Sequence, residues 1–397
     1  MGKTLQKKDF EILDSIRGIA ALYVAIGHCR GILWIGGGEF LKLFPRSSWN
    51  FWDYIMFGSS MLTRLAVEFV IVFFVLSGFS IAHSLSGNKS ILQFYKRRLI
   101  RIYPSYVIAI IWAGIIFAVT RFFFPGWYDG SHTQFAFLRT MQMNNYFQPS
   151  VILKNLFYMP GEGFITPFWS LTYEIIFYIL APFIIRYFRY YLPGSLILFF
   201  LNLLFPATVQ SFKVPLYLHD FFFVYNIYFV IGICIYRKFS DILDVTKQIS
   251  KKAFTILLLI LLGLLYGLNI YFQTETVYSF IVSAALSLVL ITFFIQYTIR
   301  LKPLMKVGRF SYTLYITHFA SIYLYLAIYR AIFKPDADYI LNYFVWMPAV
   351  FFCLAMAYLQ YFLVERQTKR ILNSLRTAPP PIINPISENG IIPTELP

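Results

Sequence analysis

Arg17 and His28 are ionisable residues inside the first long apolar run of the chain, from Leu13 to Ile35. Read as a helix, the run is long enough for a bilayer core of about 30 Å. The two residues are about three turns apart, so they lie on one face, roughly 16 Å apart along the axis. Charged groups in a span usually face a cavity or a partner, and imidazole exchanges protons near neutral pH. We predict His28 as a general base and Arg17 as a second active-site residue on the same helix face; for His28, a satisfied core histidine is the alternative.

A basic segment, YKRRLIRIYP, begins the third apolar run and places Arg98 and Arg101 one turn apart. Permanently charged, planar guanidinium groups suit phosphate, so this pair is a candidate donor-binding site. The positive-inside bias of membrane proteins is the alternative. Ser77 and Gly78, in the SGFS of the second run, are assigned to the same donor site, although close helix packing is the other use of such a sequence.

An acid and a polar stripe complete the candidate residues. Glu174 stands in FWSLTYEIIFYI, where it would orient or deprotonate an acceptor hydroxyl, or neutralise an arginine. Ser311, Tyr315 and His318 recur at helical spacing in SYTLYITH and should face the interior. With Trp169, these three are predicted to line the site. The three cysteines have no metal-ligand or disulfide spacing, so no metal is predicted.

The composition indicates which elements hold these residues. Of 397 residues, 59% are hydrophobic and 13% are charged, which indicates an integral membrane protein. Repeated apolar runs of about 20 residues predict an all-α polytopic bundle of about ten spans. The net charge of +16 comes from Lys and Arg concentrated in alternate connections, which favours membrane orientation with both termini cytoplasmic over nucleic-acid binding.

Three regions are expected. Residues 1–12 form a cytoplasmic N-terminus, 13–365 form the ten-helix domain with an extracytoplasmic loop at about 125–167, and 366–397 form a cytoplasmic tail. Residues 36–63 are predicted to form a loop rich in Gly, Trp and Phe. The proline-rich end of the tail, from about 378, is predicted to be disordered.

Five motifs in order resemble the acyltransferase 3 family of membrane acyltransferases. They are the arginine and histidine of LDSIRGIAALYVAIGH, FFVLSGF, RRLIRIYP, WSLTYE and SYTLYITH, and the likeness extends to FLVER at Phe362 to Arg366. The fourth motif departs from the usual WSLSVEEQFY and keeps only its first acid, as Glu174. Many relatives also carry a hydrolase-like domain after the bundle, and we expect none here.

The resemblance implies an activity and its participants. It implies transfer of an acyl group, often acetyl, from cytoplasmic acyl-CoA to a hydroxyl of an envelope or exported glycan. Arg17 and His28 would belong to the active site, and Arg98 and Arg101 would handle the donor. The expected partners are a glycan or lipid-linked saccharide and membrane lipid, in the bacterial inner membrane. A proton-coupled transporter or glycan flippase is the rival interpretation, because it also places ionisable groups in a central cavity.

Overall fold

The computed structural model describes residues 7–34, 37–86, 90–127, 148–159, 166–272, 276–333 and 343–377, and in these ranges it contains helices and no strands. The predicted all-α fold is therefore confirmed. The α-helices of the described residues are α1 (Lys7–Leu33), α2 (Gly37–Leu43), α3 (Phe51–Met61), α4 (Ala66–Leu85), α5 (Ile91–Phe123), α6 (Pro149–Leu156), α7 (Trp169–Arg186), α8 (Phe188–Leu204), α9 (Pro206–Gln210), α10 (Leu216–Asp220), α11 (Asn226–Arg237), α12 (Phe239–Thr246), α13 (Lys251–Phe272), α14 (Val277–Gln296), α15 (Lys302–Arg309), α16 (Ser311–Phe333), α17 (Trp346–Gln360) and α18 (Arg366–Thr377).

Eight helical stretches among the described residues are long and apolar enough to cross a membrane. Two of these stretches each contain a π-helical segment. One segment, Phe221–Tyr225, lies between α10 and α11, and the other, Tyr361–Glu365, lies between α17 and α18. The chain is thus a multi-pass membrane protein. The number of ten spans stays a prediction, as do the positions of the two termini.

The first helix lies at the centre of the bundle, where it packs against α4, α15, α16 and α17. Small residues bring the backbones together. A Cβ atom added at Gly308 would lie 1.8 Å from the Asp14 carbonyl oxygen, and one at Gly18 would lie 2.0 Å from that of Leu304. Such close approach is how membrane helices gain packing energy without a hydrophobic driving force between them. The α1–α15 contact holds Asp14 and Arg17 against the rest of the bundle.

The segment predicted as a loop between 36 and 63 differs from that prediction, because it contains α2 and α3. Asn50 begins α3 with a capping box: its side chain accepts from the Trp52 and Asp53 amides, and the Asp53 carboxylate accepts from the Asn50 amide. Such caps satisfy the free amides at a helix start. Phe51 and Trp52 are exposed, as expected for aromatic residues at a membrane interface.

Other predicted regions are only partly described. Within the expected outer loop, the structure describes 125–127, 148–159 and 166–167, including α6. The tail continues helically to Thr377 as α18. The segment from 378, predicted to be disordered, lies outside the described residues.

Candidate functional site

A cavity of about 110 Å³ lies inside the bundle between α1, α4, α5, α7 and α16, and we call it the inner chamber. Its polar lining comes from residues far apart in the chain. The lining includes Arg17, Ser77, Arg98, Arg101, Ser170, Glu174, Ser311 and Tyr315. Seven of the eleven residues predicted for the site are therefore among those that line one space.

Arg17 is fixed at the mouth of the inner chamber by two side chains. One terminal nitrogen donates to Asp14, 2.9 Å away on the preceding turn, and the other donates to the Ser80 hydroxyl of α4 at 2.6 Å. The ion pair between Arg17 and Asp14 is only partly buried. Because the planar guanidinium satisfies two acceptors at once, its orientation is defined before any ligand binds.

Glu174 accepts hydrogen bonds on one carboxylate oxygen from the Tyr178 hydroxyl and from Ser77 Oγ, the latter at 3.3 Å. Arg98 lies over the Tyr178 ring, with 5.3 Å from its guanidinium carbon to the ring centroid. This cation–π contact and the nearby carboxylate hold the arginine charge on the α5–α7 side of the chamber.

A second and larger space, of about 960 Å³, opens at the end of the bundle that carries Arg97, Arg309 and Lys369. We call it the basic cleft. Its basic residues are Arg17, Arg97, Arg98, Arg101, Arg309 and Lys369, and its acidic residues are Glu11 and Asp14. Arg17, Ser80, Arg98 and Arg101 line both spaces, so the inner chamber adjoins the inner end of the cleft. Because basic residues outnumber acids, the cleft is suited to an anionic ligand.

His28 and His318 form a pair on the far side of the chamber wall. Their nearest nitrogens, His28 Nδ1 and His318 Nε2, are 2.8 Å apart, and the rings are parallel within 1°. His318 is completely buried, whereas His28 is half-buried. His28 does not line the chamber, so the structure separates it from Arg17 and Glu174.

Tyr315 stands between the chamber and the histidine pair. Its ring lines the chamber and lies 5.9 Å from the His318 ring, centroid to centroid. Its hydroxyl is 2.6 Å from Ser170 Oγ and donates to the Pro167 carbonyl at 2.8 Å. Ser311, Tyr315 and His318, predicted as one stripe, are all buried.

Two predicted site residues take other positions. Gly78 faces α11, where an added Cβ would lie 2.0 Å from the Phe229 carbonyl oxygen, and it does not line the chamber. Its place in the structure is a helix–helix contact. Trp169 begins α7 and packs edge-on against Phe74 and Tyr173.

Several lining residues were not predicted from sequence. Tyr178 lies one turn after Glu174, and Ser80 lies one turn after Ser77, so helical spacing from a predicted residue was the available signal. Arg309 and Lys369 join the basic cleft from α15 and α18 and carry no such local signal. Among the described residues, no group of three or more His, Cys, Asp and Glu side chains is arranged to hold a metal ion.

Comparison with known proteins matches residues 10–359 to the family model described as an acyltransferase domain, of the acyltransferase 3 type. The match spans every residue of the inner chamber and most of the basic cleft. A curated relative, acyltransferase MdmB of Streptomyces mycarofaciens, is 33% identical over 124 residues, which is 30% of this chain and 29% of that protein. The aligned part is thus less than a third of either protein. No solved structure matches significantly.

Proposed function

The chain belongs to the acyltransferase 3 family, and on that premise we propose that it transfers an acyl group, acetyl in the first instance, from acyl-CoA to a hydroxyl of an envelope or exported glycan. The observation that supports acyl-CoA as the donor is that the basic cleft adjoins the inner chamber. Coenzyme A combines several phosphate groups with a narrow thiol-bearing arm. A wide basic cleft leading to a small polar chamber matches that shape and charge.

The phosphates bind in the basic cleft, and Arg98 and Arg101 lie at its inner end, where it adjoins the inner chamber. Planar guanidinium groups bind phosphate oxygens in pairs. Arg17, already oriented by Asp14 and Ser80, then holds the arm at the chamber mouth. Glu174 balances the charge of Arg98 across Tyr178.

His28 is the proposed general base. An acceptor hydroxyl attacks the thioester carbonyl while His28 takes its proton, and the departing thiolate of coenzyme A receives a proton afterwards. Since Tyr315 stands between the chamber and the histidine pair, its side chain must move for the thioester to reach His28. No metal is needed, because a thioester is already an activated acyl donor.

The proposed orientation places the basic cleft in the cytoplasm, where acyl-CoA is made, and the His28 end towards the outside. The excess of Lys and Arg at the cleft end supports this orientation. The proposed location is the inner membrane of a bacterium, with the acceptor supplied from outside or as a lipid-linked saccharide.

The test is acyl transfer by the purified protein in detergent or nanodiscs, with radiolabelled acetyl-CoA and a panel of glycan acceptors. We expect label in the glycan and release of free coenzyme A. His28→Ala should lose about 100-fold or more in rate, as expected for removal of a general base, while still binding acetyl-CoA. Normal transfer by folded His28→Ala protein would refute the base assignment.

The transport alternative predicts a different result in proteoliposomes. A permease or flippase would move its substrate across the membrane without acetyl-CoA and without forming an ester. Substrate movement in the absence of donor, together with no labelled product, would replace the acyltransferase proposal.

A further inference from the structure

The histidine pair forms one hydrogen-bonded chain with the backbone of α16. His318 Nδ1 is 3.0 Å from the Leu314 carbonyl oxygen, and His318 Nε2 is 2.8 Å from His28 Nδ1. No carboxylate lies within hydrogen-bond distance of either ring in the part of the chain that the structure describes. This hydrogen-bonded chain therefore consists of one carbonyl and two imidazoles.

The Leu314 carbonyl at one end of this hydrogen-bonded chain determines which ring nitrogens of the two histidines carry a hydrogen. A carbonyl oxygen only accepts, so His318 Nδ1 carries a hydrogen and donates it to Leu314. His318 is completely buried, and a charge there without a paired acid would cost several kcal/mol. In neutral His318 the other nitrogen, Nε2, is then an acceptor. It accepts from His28 Nδ1, which leaves the lone pair of His28 on Nε2.

The two rings differ in how firmly the surrounding residues hold them. His318 is completely buried beside Tyr315 of its own helix, with 5.9 Å between the two ring centroids, and its carbonyl accepts from Cys353 Sγ of α17 at 3.5 Å. His28 is half-buried, and the described residues offer it no hydrogen bond other than that to His318. The completely buried ring of His318 therefore sets the tautomer and the orientation of the half-buried ring of His28.

We propose that His318 is the positioning residue of the reaction: it holds His28 in the tautomer whose Nε2 is free to take the proton of the acceptor hydroxyl. When His28 becomes an imidazolium, its Nδ1 hydrogen bond to His318 strengthens. His318 thus fills the place that a carboxylate takes in a Ser-His-Asp triad, but as a neutral acceptor inside the bundle. This inference rests on the proposed function of His28.

Three substitutions of His318 separate positioning from packing. His318→Gln places an amide oxygen near the position of Nε2 and keeps an acceptor for His28. His318→Asn is shorter, so it reaches Leu314 but not His28. His318→Leu removes both bonds. Each variant is measured for kcat, for KM and for acetyl-CoA affinity in detergent.

We expect kcat to fall about 100-fold in His318→Asn and His318→Leu, the lower end of what general acid–base catalysis contributes. His318→Gln should recover at least about 10-fold over His318→Asn, since it restores the acceptor that fixes the tautomer. KM and affinity for acetyl-CoA should stay unchanged in all three, because His318 does not line the inner chamber or the basic cleft.

Two outcomes overturn the proposal. One is a His318→Asn variant as active as the unmodified protein, and the other is His318→Gln no better than His318→Asn when both bind acetyl-CoA normally. The glutamine and asparagine variants decide the question even where His318→Leu does not fold. Failure of the proposed function is distinguishable, because it appears as no transfer by the unmodified protein or as full activity of His28→Ala.

Discussion

Arg17 joins the basic cleft to the inner chamber through a geometry that lysine cannot reproduce. Its two terminal nitrogens reach Asp14 and Ser80 simultaneously, whereas an ammonium group is a single point charge. We expect Arg17→Gln to raise KM for acetyl-CoA by about 10- to 100-fold, the worth of a hydrogen bond to a charged group. The KM of Arg17→Lys for acetyl-CoA should lie between the values of the unmodified protein and of Arg17→Gln.

Steady-state kinetics with varied acetyl-CoA measure this effect. The control is Lys251→Gln, which removes the same charge from an exposed position at the start of α13 and should leave KM unchanged. An Arg17→Gln protein with normal KM would show that Arg17 does not hold the donor.

Helical periodicity in the sequence predicted which residues share a helix face, but it did not predict which helices are neighbours. The spacing of Ser311, Tyr315 and His318 was sufficient to predict one buried stripe, because residues on one helix face are determined by the helical repeat. The contact between His28 and His318 joins residues 290 positions apart, and no local pattern specifies which helices become neighbours. For the same reason, the separation of His28 from the inner chamber by Tyr315 could not be predicted.

Helices α4 and α11 cross at a point where both carry glycine. A Cβ atom at Gly232 would lie 2.1 Å from the Val75 carbonyl oxygen, while one at Gly267 of α13 would have no atom within 4 Å. We expect Gly232→Ala to destabilise the protein by about 1–3 kcal/mol through overpacking. Gly267→Ala should be neutral or stabilising by up to about 1 kcal/mol, since alanine favours a helix.

Thermal unfolding in detergent, measured as the loss of monodisperse protein with temperature, compares Gly232→Ala and Gly267→Ala under one condition. Equal melting temperatures for both variants would mean that the α4–α11 crossing tolerates a wider separation than its geometry indicates.

An ion pair between a buried carboxylate and a half-buried lysine lies at the start of α18, and the lysine, Lys369, also donates to the Arg309 carbonyl of α15. Lys369 Nζ lies 2.6 Å from a Glu365 carboxylate oxygen, Glu365 is 2% exposed, and its other oxygen accepts from Thr313 of α16. We expect Lys369→Met to cost about 3–5 kcal/mol of stability, because it leaves a buried carboxylate without its cation. The double variant Glu365→Gln/Lys369→Met should regain most of that loss.

A double-mutant cycle on denaturation midpoints measures the coupling between the two side chains. If Lys369→Met alone leaves stability unchanged, solvent reaches Glu365 and the pair does not attach α18.

The order and type of the long helices could be predicted from apolar runs, because a bilayer demands about 20 apolar residues per span. The shorter helices were harder to predict from the sequence. Helices α2 and α3 lie in a segment rich in Gly, Trp and Phe, where interfacial aromatics obscure helical periodicity and the Asn50 cap is the main local signal. Helix α8 begins at Phe188 and contains Pro193, although a proline in a sequence usually marks a helix boundary.

The whole molecule has an asymmetric charge distribution, with a large basic cleft at one end and a small polar chamber within. The cleft includes Arg97 and Arg309, which do not line the chamber, and we expect these two arginines to contact the nucleotide part of coenzyme A. Coenzyme A carries a 3′-phosphate that 3′-dephospho-coenzyme A lacks. Comparing the two by calorimetry therefore measures how much binding energy the outer cleft contributes.

At low salt we expect coenzyme A to bind about 10-fold more tightly than the dephospho form, the worth of one charge-assisted hydrogen bond. Raising the ionic strength from about 0.05 M to about 0.5 M should narrow that difference, because the cleft is open to solvent and the Debye length shortens to a few ångströms. The double variant Arg97→Gln/Arg309→Gln should bind both ligands alike at every salt concentration. If the unmodified protein binds both forms equally at low salt, the 3′-phosphate does not contact the cleft, and the donor enters by another route.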